Sequence, residues 1–194
     1  MKNRLANYHE GIEIFDGVFS YSVREEMYKV ARDSAYSIGW SDTEIIEHQD
    51  KVFLFSKLPK RWLEKKFMLE VERSGCETLK DRIRNSGPLL RGGINCGILS
   101  DSYLAHSHAD QNVLIYYANM DWKDYWNGET TFFTRDLKEI AFTNKYVPGR
   151  LVWFDGEIPH TIKPVSFSGP KFRFTYSIFF DKEDRDARDG SEEY

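Results

Sequence analysis

The chain has 194 residues, a formal net charge of −4, and 41% hydrophobic and 15% aromatic residues. This length fits one domain, and the apolar content is ample for one hydrophobic core. The mild acidity disfavours a dedicated nucleic-acid binder, because such proteins carry a basic surface.

Segments that target a membrane or form disulfides are not expected. No apolar run reaches the length of a transmembrane helix, and the first residues lack the apolar stretch of a signal peptide. The two cysteines, Cys76 and Cys96, lack the spacing of a disulfide framework or a zinc site. A reducing, cytoplasmic setting without a membrane partner is therefore predicted.

The first 88 residues are predicted to support the fold with helices. Ser22 is expected to cap the first helix, because Glu25 occupies the capping-box position. The apolar residues of the second helix follow a less regular period than those of the first. The predicted elements are a strand within 11–21, helices over 23–38, 61–73 and 76–83, and a short strand at 52–55.

From Leu89 onward the sequence changes to short strands and turns. Glycines interrupt the first of these strands, which indicates a bend or a close approach of the backbone to a ligand. Many short antiparallel strands at this spacing are typical of a jelly roll. The predicted fold class is α+β, mainly β: a double-stranded β-helix with N-terminal supporting helices. Strands are expected at 90–99, 112–119, 129–134, 138–143, 150–154, 160–165 and 172–180.

The domain organisation is predicted as a single domain over residues 1–181. Within it, residues 1–88 form the helical support and residues 89–181 form the jelly-roll core. Residues 182–194 are almost devoid of apolar side chains, which predicts a disordered acidic tail. Loops are also expected at 40–50 and at 100–105, the second leading into a group of histidines.

Three of the five histidines, His106, His108 and His160, lie in the strand-rich half. In extended backbone, residues i and i+2 point to the same side, so His108 and Asp110 can reach one metal ion. His160 would complete a set of two histidines and one carboxylate, which is the ligand set of a non-haem Fe(II) oxygenase. The predicted metal ligands, and the catalytic residues, are His108, Asp110 and His160.

His106 offers an alternative ligand, because His106-x-His108 also has metal-binding spacing. This pair would suit a cupin, whose pattern expects a glutamate three or four residues after the second histidine. Gln111 and Asn112 occupy those positions here. Asp110 is therefore favoured as the ligand, and His106 is expected to line the pocket or to lie behind the ligands.

A carboxylate-binding site is predicted near the end of the chain. Residues 172–180 alternate, with Arg173, Thr175 and Ser177 on one face and apolar side chains on the other. A face with one arginine and two hydroxyls fits the wall of a polar pocket. Arginine binds a carboxylate with two parallel hydrogen bonds, and a hydroxyl adds a third. Arg173 is preferred to Lys171 for this role.

These motifs, in this order, resemble the Fe(II)/2-oxoglutarate dioxygenase superfamily. The segments 115–122, 127–130, 149–155 and 159–160 resemble its prolyl 4-hydroxylase-like branch, which includes the hypoxia-sensing prolyl hydroxylases. The resemblance extends over residues 89–181. It departs from the family pattern at Ala105, where the family has a tyrosine three residues before the metal-binding histidine; Tyr103 lies two positions away.

The resemblance implies the cofactors and their contacts. Fe(II) and 2-oxoglutarate are expected, with O2 as co-substrate and ascorbate as a reductant. Tyr117, beside Arg173 and Thr175, is expected to bind the distal carboxylate of 2-oxoglutarate. From its position before the loop 100–105, Asn95 is expected to reach the other end of the co-substrate. A core aromatic is the alternative role for Tyr117. Tyr116 should point to the opposite face of the strand.

The resemblance also implies a hydroxylase that acts on a substrate C–H and releases succinate and CO2. A peptidyl proline is the leading substrate, so the expected partner is a peptide or protein. A free amino acid or small metabolite is the enzymatic alternative, and a non-catalytic, cupin-like metal-binding module is the alternative from another class. The aromatic cluster Trp122, Tyr125 and Trp126 is either a substrate lip or ordinary packing.

Overall fold

Two antiparallel β-sheets face each other in the structure, a computed structural model that describes residues 11–39, 54–98 and 104–182. The strands are β1 Ile12–Phe15, β2 Ser37–Ile38, β3 Leu54–Lys57, β4 Leu89–Ile98, β5 Gln111–Tyr117, β6 Thr130–Phe133, β7 Ile140–Asn144, β8 Leu151–Asp155, β9 His160–Ile162 and β10 Phe172–Asp181. The larger sheet has seven strands in the order β1-β8-β5-β10-β4-β3-β2, and the smaller has three in the order β7-β6-β9. This architecture confirms the predicted jelly roll.

The helices precede β4, as predicted, but their ends differ from the predicted ones. Helix α1 spans Tyr21–Asp33 and ends five residues before the predicted end, where Ser34 adopts an extended conformation. Its cap is Ser20, whose side chain accepts a hydrogen bond from the Val23 amide, so the prediction of Ser22 as the cap was wrong. Two further helices follow, α2 over residues 60–73 and α3 over Glu77–Arg84.

The irregular period of the apolar residues in α2 has a structural cause. The helix contains a π-helical segment, Leu63–Met68, between the α-helical segments Lys60–Trp62 and Leu69–Arg73. A π-turn adds a residue to the helical repeat and shifts the phase of the apolar positions. Buried Leu63, Phe67 and Val71 nevertheless join one core together with the larger sheet.

Alternation along the central strands divides the larger sheet into two faces. The outer face packs against the helices and carries one continuous core, which includes Ile94, Tyr116 and Tyr176. The inner face meets the smaller sheet through a second core, which includes Val113, Phe132 and Phe154. Strands β5, β8 and β10 therefore contribute side chains to both interiors.

One glycine in β4 is required by a close approach between strands. A Cβ on Gly93 would lie 2.3 Å from the ring of Phe55, which belongs to the neighbouring strand β3. This contact accounts for one of the glycines that interrupt the predicted strand. At this position the close approach is to a neighbouring side chain, not to a ligand.

Some predictions fall on residues outside the described ranges: the loop 40–50, most of the loop 100–105, and the tail from 183 onward. The domain boundaries stay a prediction. Within the described ranges, no helix has the length and apolar character needed to cross a lipid bilayer.

Candidate active site

Three histidines converge between the two sheets. Their candidate ligand atoms, one from each of His106, His108 and His160, all lie within 4.8 Å of one another. The ring centroids are 4.5 Å apart for His106 and His160, 5.0 Å for His106 and His108, and 5.3 Å for His108 and His160. In the described part of the chain, this is the only group of three or more histidine, cysteine or acidic side chains arranged to hold a metal ion.

Backbone pairing brings the histidines together. His106 and His160 exchange two backbone hydrogen bonds, of 3.0 Å and 2.9 Å, so their side chains leave the same side of this two-residue ladder. His108 follows two residues after His106 and is held by a hydrogen bond of 2.7 Å from its amide to the Gly156 carbonyl. The rule that residues i and i+2 share a side therefore applies to His106 and His108.

Asp110 lies outside this group. Its φ of 57° is left-handed, and it belongs to a turn that precedes β5. The extended backbone that the sequence argument assumed between His108 and Asp110 is thus interrupted. The Asp110 carbonyl accepts a hydrogen bond from the Lys182 amide, and the residue is exposed. The structure brings together two of the three predicted ligands and adds His106.

Two contacts orient the imidazole rings. Nδ1 of His106 lies 3.0 Å from the Leu104 carbonyl, and Nδ1 of His160 lies 3.0 Å from the Ile158 carbonyl. A carbonyl partner at Nδ1 fixes the tautomer that presents Nε2 to a metal. Nε2 is therefore the candidate ligand atom of both histidines.

Aromatic rings pack against two of the histidines. The ring of Phe179 lies 4.8 Å from that of His108, and the ring of Phe154 lies 4.8 Å from that of His160. Burial, followed by proximity to His106 and His108, lowers the pKa of His160 well below its ordinary value. His160 is accordingly neutral, as a metal ligand must be.

Arg173 occupies the other end of the same interior. Its side chain is only 2% exposed. Nε donates to the Gly128 carbonyl at 2.9 Å, and Nη1 lies 3.4 Å from the Thr175 hydroxyl. Nη2 is buried and has no hydrogen-bond partner among the described residues. A buried guanidinium with an unsatisfied donor is costly, and a carboxylate is the group that satisfies it best.

Tyr117 lies beside this guanidinium. The Arg173 guanidinium carbon is 5.5 Å from the centroid of the Tyr117 ring, and the Tyr117 hydroxyl is 2.6 Å from the Thr130 hydroxyl. Asn144 donates to the same tyrosine oxygen at 2.8 Å. Burial raises the pKa of Tyr117, so the hydroxyl keeps its proton. Tyr116 lies on the opposite face, as the strand alternation predicted.

A stack of aromatic rings packs against the Arg173 guanidinium. Trp122 stacks on Tyr146 at 4.1 Å between ring centroids, and Tyr146 stacks on Tyr117 at 4.6 Å. The Arg173 guanidinium carbon lies 4.9 Å from the Tyr146 centroid. The Trp122 indole also donates to the Asn127 carbonyl at 2.9 Å. Trp122 is therefore part of the support of Arg173, whereas exposed Tyr125 is not in this stack.

Asn95 and Ser177 connect the two ends of the site. The Asn95 amide donates to the Ser177 hydroxyl at 2.9 Å. Asn95 lies opposite Thr175 in the register of β4 and β10, so it shares the inner face with Arg173. The polar side chains that were predicted to bind the co-substrate thus lie together on the inner face of the larger sheet.

Strand β6 of the smaller sheet contacts both ends of the site. Thr130, which contacts Tyr117, and Phe132, which lies opposite His160, are successive inward-facing residues of β6. Such residues are separated by roughly 7 Å along a strand. One strand of the smaller sheet therefore lies against both the histidines and the polar group around Tyr117.

His106 is the site residue that sequence reasoning set aside. A signal for it was present in the sequence: Tyr103 stands three residues before His106, the spacing that the family pattern requires before its first metal-binding histidine. If His106 is the first metal-binding histidine, the tyrosine that the family has three residues earlier is present as Tyr103. His108 then occupies the position at which the family has its carboxylate.

No protein-family model and no curated protein sequence matches the chain. A prolyl hydroxylase from Trichoplax adhaerens, solved with a hypoxia inducible factor oxygen degradation domain peptide fragment, superimposes with a TM-score of 0.65 at 15% identity, over 94% of this chain and 88% of that one.

Two further prolyl hydroxylases have similar structures. A Pseudomonas putida prolyl-4-hydroxylase gives a TM-score of 0.61 at 14% identity, over 88% of this chain and 92% of that one. The viral collagen prolyl hydroxylase from Paramecium Bursaria Chlorella virus-1, in its 2-oxoglutarate complex, gives 0.60 at 13% identity, over 90% and 97%. The predicted resemblance is confirmed for the fold: this chain has the jelly-roll fold of the Fe(II)/2-oxoglutarate oxygenases, in the form found in prolyl hydroxylases.

Proposed function

We propose that this protein is an Fe(II)- and 2-oxoglutarate-dependent dioxygenase that hydroxylates a substrate C–H and releases succinate and CO2. One observation carries the proposal: three imidazoles converge within 4.8 Å in the interior that also holds the buried Arg173 guanidinium. The two groups suit the two ends of 2-oxoglutarate, and a fold shared with solved 2-oxoglutarate oxygenases supports the pairing.

His106, His108 and His160 would hold the iron. Imidazole nitrogens suit Fe(II), and three ligands on one side leave positions for co-substrate and oxygen. This set replaces Asp110 of the sequence prediction by His106. The backbone ladder between His106 and His160 would keep both ligands in place without movement on metal binding.

Arg173, Thr175 and Tyr117 would bind the distal carboxylate of 2-oxoglutarate. Nη2 of Arg173 supplies a charge-assisted donor, and the hydroxyls add neutral hydrogen bonds. Asn95 and Ser177 would line the path between this carboxylate and the metal. The apolar rings of Phe154 and Phe179 would exclude water from the histidines.

The bound iron and 2-oxoglutarate would together supply oxygen activation and the oxidising power for C–H hydroxylation. The protein positions the co-substrate and excludes water from the metal site. It would align the co-substrate between Arg173 and the histidines. The substrate would approach the metal from the side that the histidines do not occupy.

The substrate that we favour is a proline in a peptide or protein. The Trichoplax adhaerens hydroxylase with a similar fold was solved with a peptide fragment, and the viral one is a collagen prolyl hydroxylase. A free amino acid or small metabolite is the second candidate. We expect neither a nucleic acid nor a membrane as partner, and a cytoplasmic setting with ascorbate as reductant.

The metal ligands are tested by Fe(II) titration without oxygen, followed by 2-oxoglutarate. The wild type should develop the weak visible metal-to-ligand band of a chelated 2-oxoglutarate. His106→Ala and His160→Ala should lose it, because each removes one of three ligands. Asp110→Ala should keep it. Loss of the band in Asp110→Ala, with retention in His106→Ala, would show that the ligands are His108, Asp110 and His160.

Turnover is tested by succinate formation and by mass spectrometry of added substrates. Proline-containing peptides should stimulate succinate formation and gain one oxygen atom, whereas free proline should not. Stimulation by free amino acids alone would favour the metabolite alternative. Metal binding without any succinate formation, even uncoupled, would favour a non-catalytic metal-binding module.

A further inference from the structure

The orientation of the Arg173 guanidinium depends mainly on one backbone group. Its Nε donates to the Gly128 carbonyl at 2.9 Å, whereas the contact of Nη1 with the Thr175 hydroxyl is longer, at 3.4 Å. Nη2 has no hydrogen-bond partner among the described residues. Because a guanidinium is planar, the bond at Nε also constrains the direction of both Nη groups. The position of the Gly128 carbonyl therefore bears directly on where Nη2 points.

The residue before Gly128 has a backbone conformation that is unusual for its type. Asn127 has a φ of 57° and a ψ of −142°, close to the region that glycine alone populates readily. Such conformations cost free energy and persist only where the surrounding structure enforces them. They are common at ligand-binding sites, where the strain serves the geometry of the site. Asn127 is therefore a candidate for a functional role.

Contacts on both sides hold Asn127 in this conformation. Its carbonyl accepts a hydrogen bond from the Trp122 indole at 2.9 Å. On the other side, Asn127 forms an isolated β-bridge with Val165. The adjacent Trp126 carbonyl accepts a hydrogen bond from the Ser166 amide at 2.9 Å. These contacts oppose relaxation of the Asn127 backbone.

The turn is also in close contact with the arginine itself. Gly128 has a φ of 81°, and a Cβ at this position would lie 2.8 Å from the Trp122 ring and 3.4 Å from Cδ and Nε of Arg173. Gly128 therefore fits tightly between the Trp122 ring and the Arg173 side chain. Rotation of the backbone at Asn127 would move the Gly128 carbonyl away from Nε, because φ and ψ of a residue set the course of the chain that follows it.

We infer that Asn127 is a positioning residue: its strained backbone directs the Gly128 carbonyl at Nε of Arg173 and so aims Nη2 at the carboxylate. The backbone of Asn127 performs this role, and its amide side chain is not required. Only the identity of the carboxylate, that of 2-oxoglutarate, rests on the proposed function. The orientation of Arg173 can be measured without any ligand.

Two substitutions of Asn127 separate the role of the backbone from that of the side chain. Asn127→Gly removes the amide group, and glycine adopts the observed φ and ψ without strain. Asn127→Ala also removes the amide group, but alanine tolerates positive φ less well than asparagine, so the turn should relax.

Leu137 provides the matched control. It also has a positive φ, of 59°, but it lies in the connection between β6 and β7, and its side chain is exposed. Leu137→Gly relieves the strain of a positive φ there, and Leu137→Ala does not. Both variants should affect stability alone.

The first measurement is the nuclear magnetic resonance signal of the Arg173 Nε–H group in the protein without ligands. The signal is assigned as the one that Arg173→Met lacks. Asn127→Gly should keep its chemical shift and its protection from exchange with water, and should raise the melting temperature. Asn127→Ala should shift the signal and accelerate the exchange, because the hydrogen bond to Gly128 is lost. Both Leu137 variants should leave the signal unchanged.

The second measurement is calorimetric titration of 2-oxoglutarate into the Fe(II)-loaded protein without oxygen. Asn127→Ala should weaken binding roughly tenfold, the effect expected when a hydrogen bond to a charged group is lost. Asn127→Gly and both Leu137 variants should bind 2-oxoglutarate as tightly as the wild type.

The outcomes distinguish the positioning role from the proposed function. An unchanged Arg173 signal in Asn127→Ala, with lower stability, would overturn the positioning role and show that the strained turn is structural only. A shifted signal in Asn127→Gly would also overturn it, because the amide side chain would then be required. If the signals change as expected and the wild type binds no 2-oxoglutarate, the proposed function is overturned and the positioning of Arg173 by Asn127 stands.

Discussion

Strand β10 borders two regions of the molecule that differ in composition and in role. Its outward side chains, Phe174, Tyr176, Ile178 and Phe180, belong to the core beneath the helices. Its inward side chains include Arg173, Thr175 and Ser177: Arg173 donates to the Gly128 carbonyl and to Thr175, and Ser177 accepts from Asn95. One strand thus contributes stability with alternate residues, and the residues between them are the ones proposed to bind the co-substrate.

The difference between the faces indicates which substitutions affect which property. Apolar side chains on the outer face stabilise the fold because they are removed from water. Polar side chains on the inner face lower stability when they are buried without a ligand, and ligand binding offsets that cost. Substitutions on the two faces should therefore separate stability from co-substrate affinity.

The largest expected effect is on the outer face. Phe67 is fully buried and lies 5.4 Å from Phe19 and 5.7 Å from Tyr176, measured between ring centroids. Phe67→Ala should lower the free energy of unfolding by about 3–5 kcal/mol, measured by urea denaturation. Phe167→Ala, at an exposed position, should change it by less than about 0.5 kcal/mol.

The affinity of folded Phe67→Ala for 2-oxoglutarate should equal that of the wild type. A large loss of affinity, measured without urea at a temperature at which the variant is folded, would show that the two faces are not independent.

On the inner face, Arg173→Met should have the opposite profile. It keeps an apolar stem and removes a buried guanidinium with an unsatisfied donor, so the free energy of unfolding should stay equal or rise. Binding of 2-oxoglutarate should weaken by on the order of 2–5 kcal/mol, because the distal carboxylate loses its charged partner. A loss of stability comparable with that of Phe67→Ala would contradict the division into two faces.

A smaller effect is expected from the aromatic stack behind Arg173. Trp122→Ala removes one ring of the Trp122, Tyr146 and Tyr117 stack and should weaken 2-oxoglutarate binding by about 1 kcal/mol, measured by calorimetry. Trp122→Phe keeps a ring and should retain most of the affinity. If Trp122 instead contacted the substrate, both variants would raise the KM for the substrate and leave the affinity for the co-substrate unaltered.

The smallest effect is expected at the start of α1. Ser20→Ala removes the cap of the Val23 amide and should lower the free energy of unfolding by about 1 kcal/mol. Ser22→Ala should have less than half that effect, since Ser22 lies in the first turn of the helix. If Ser22→Ala were the more destabilising variant in thermal or urea unfolding, Ser22 would be the cap. Neither variant should alter co-substrate affinity.

Periodicity in the sequence predicted the fold class and most of the elements, although residues 37–38, predicted as the end of a helix, form strand β2. Alternation over 172–180 correctly separated Arg173, Thr175 and Ser177 from the apolar face, because side chains in a strand must alternate. Element ends were less predictable. Either serine can cap a helix locally, and Ser20 rather than Ser22 does so because the chain enters the helix at Tyr21.

The site was predictable in its residue types and only in part in its geometry. Order and spacing predicted His108, His160 and Arg173 as site residues, and the structure places all three in the interior between the sheets. The inclusion of His106 in the cluster, and of Trp122 in the support of Arg173, depended on contacts between residues distant in sequence. Contacts between distant residues leave no local pattern, although the spacing of Tyr103 and His106 was a signal for His106 that the sequence argument did not use.

The sequence by itself therefore determined the alternation of strands, the jelly-roll class and the set of polar residues that line its interior. Only the tertiary structure decided which of those residues meet. The left-handed backbone at Asp110 interrupts the extended chain that would have aligned it with His108, and the ladder between His106 and His160 brings His106 inward. The physical reason is that periodicity assigns a residue to a face, whereas pairing between distant strands and the conformation of turns assign it to a position on that face.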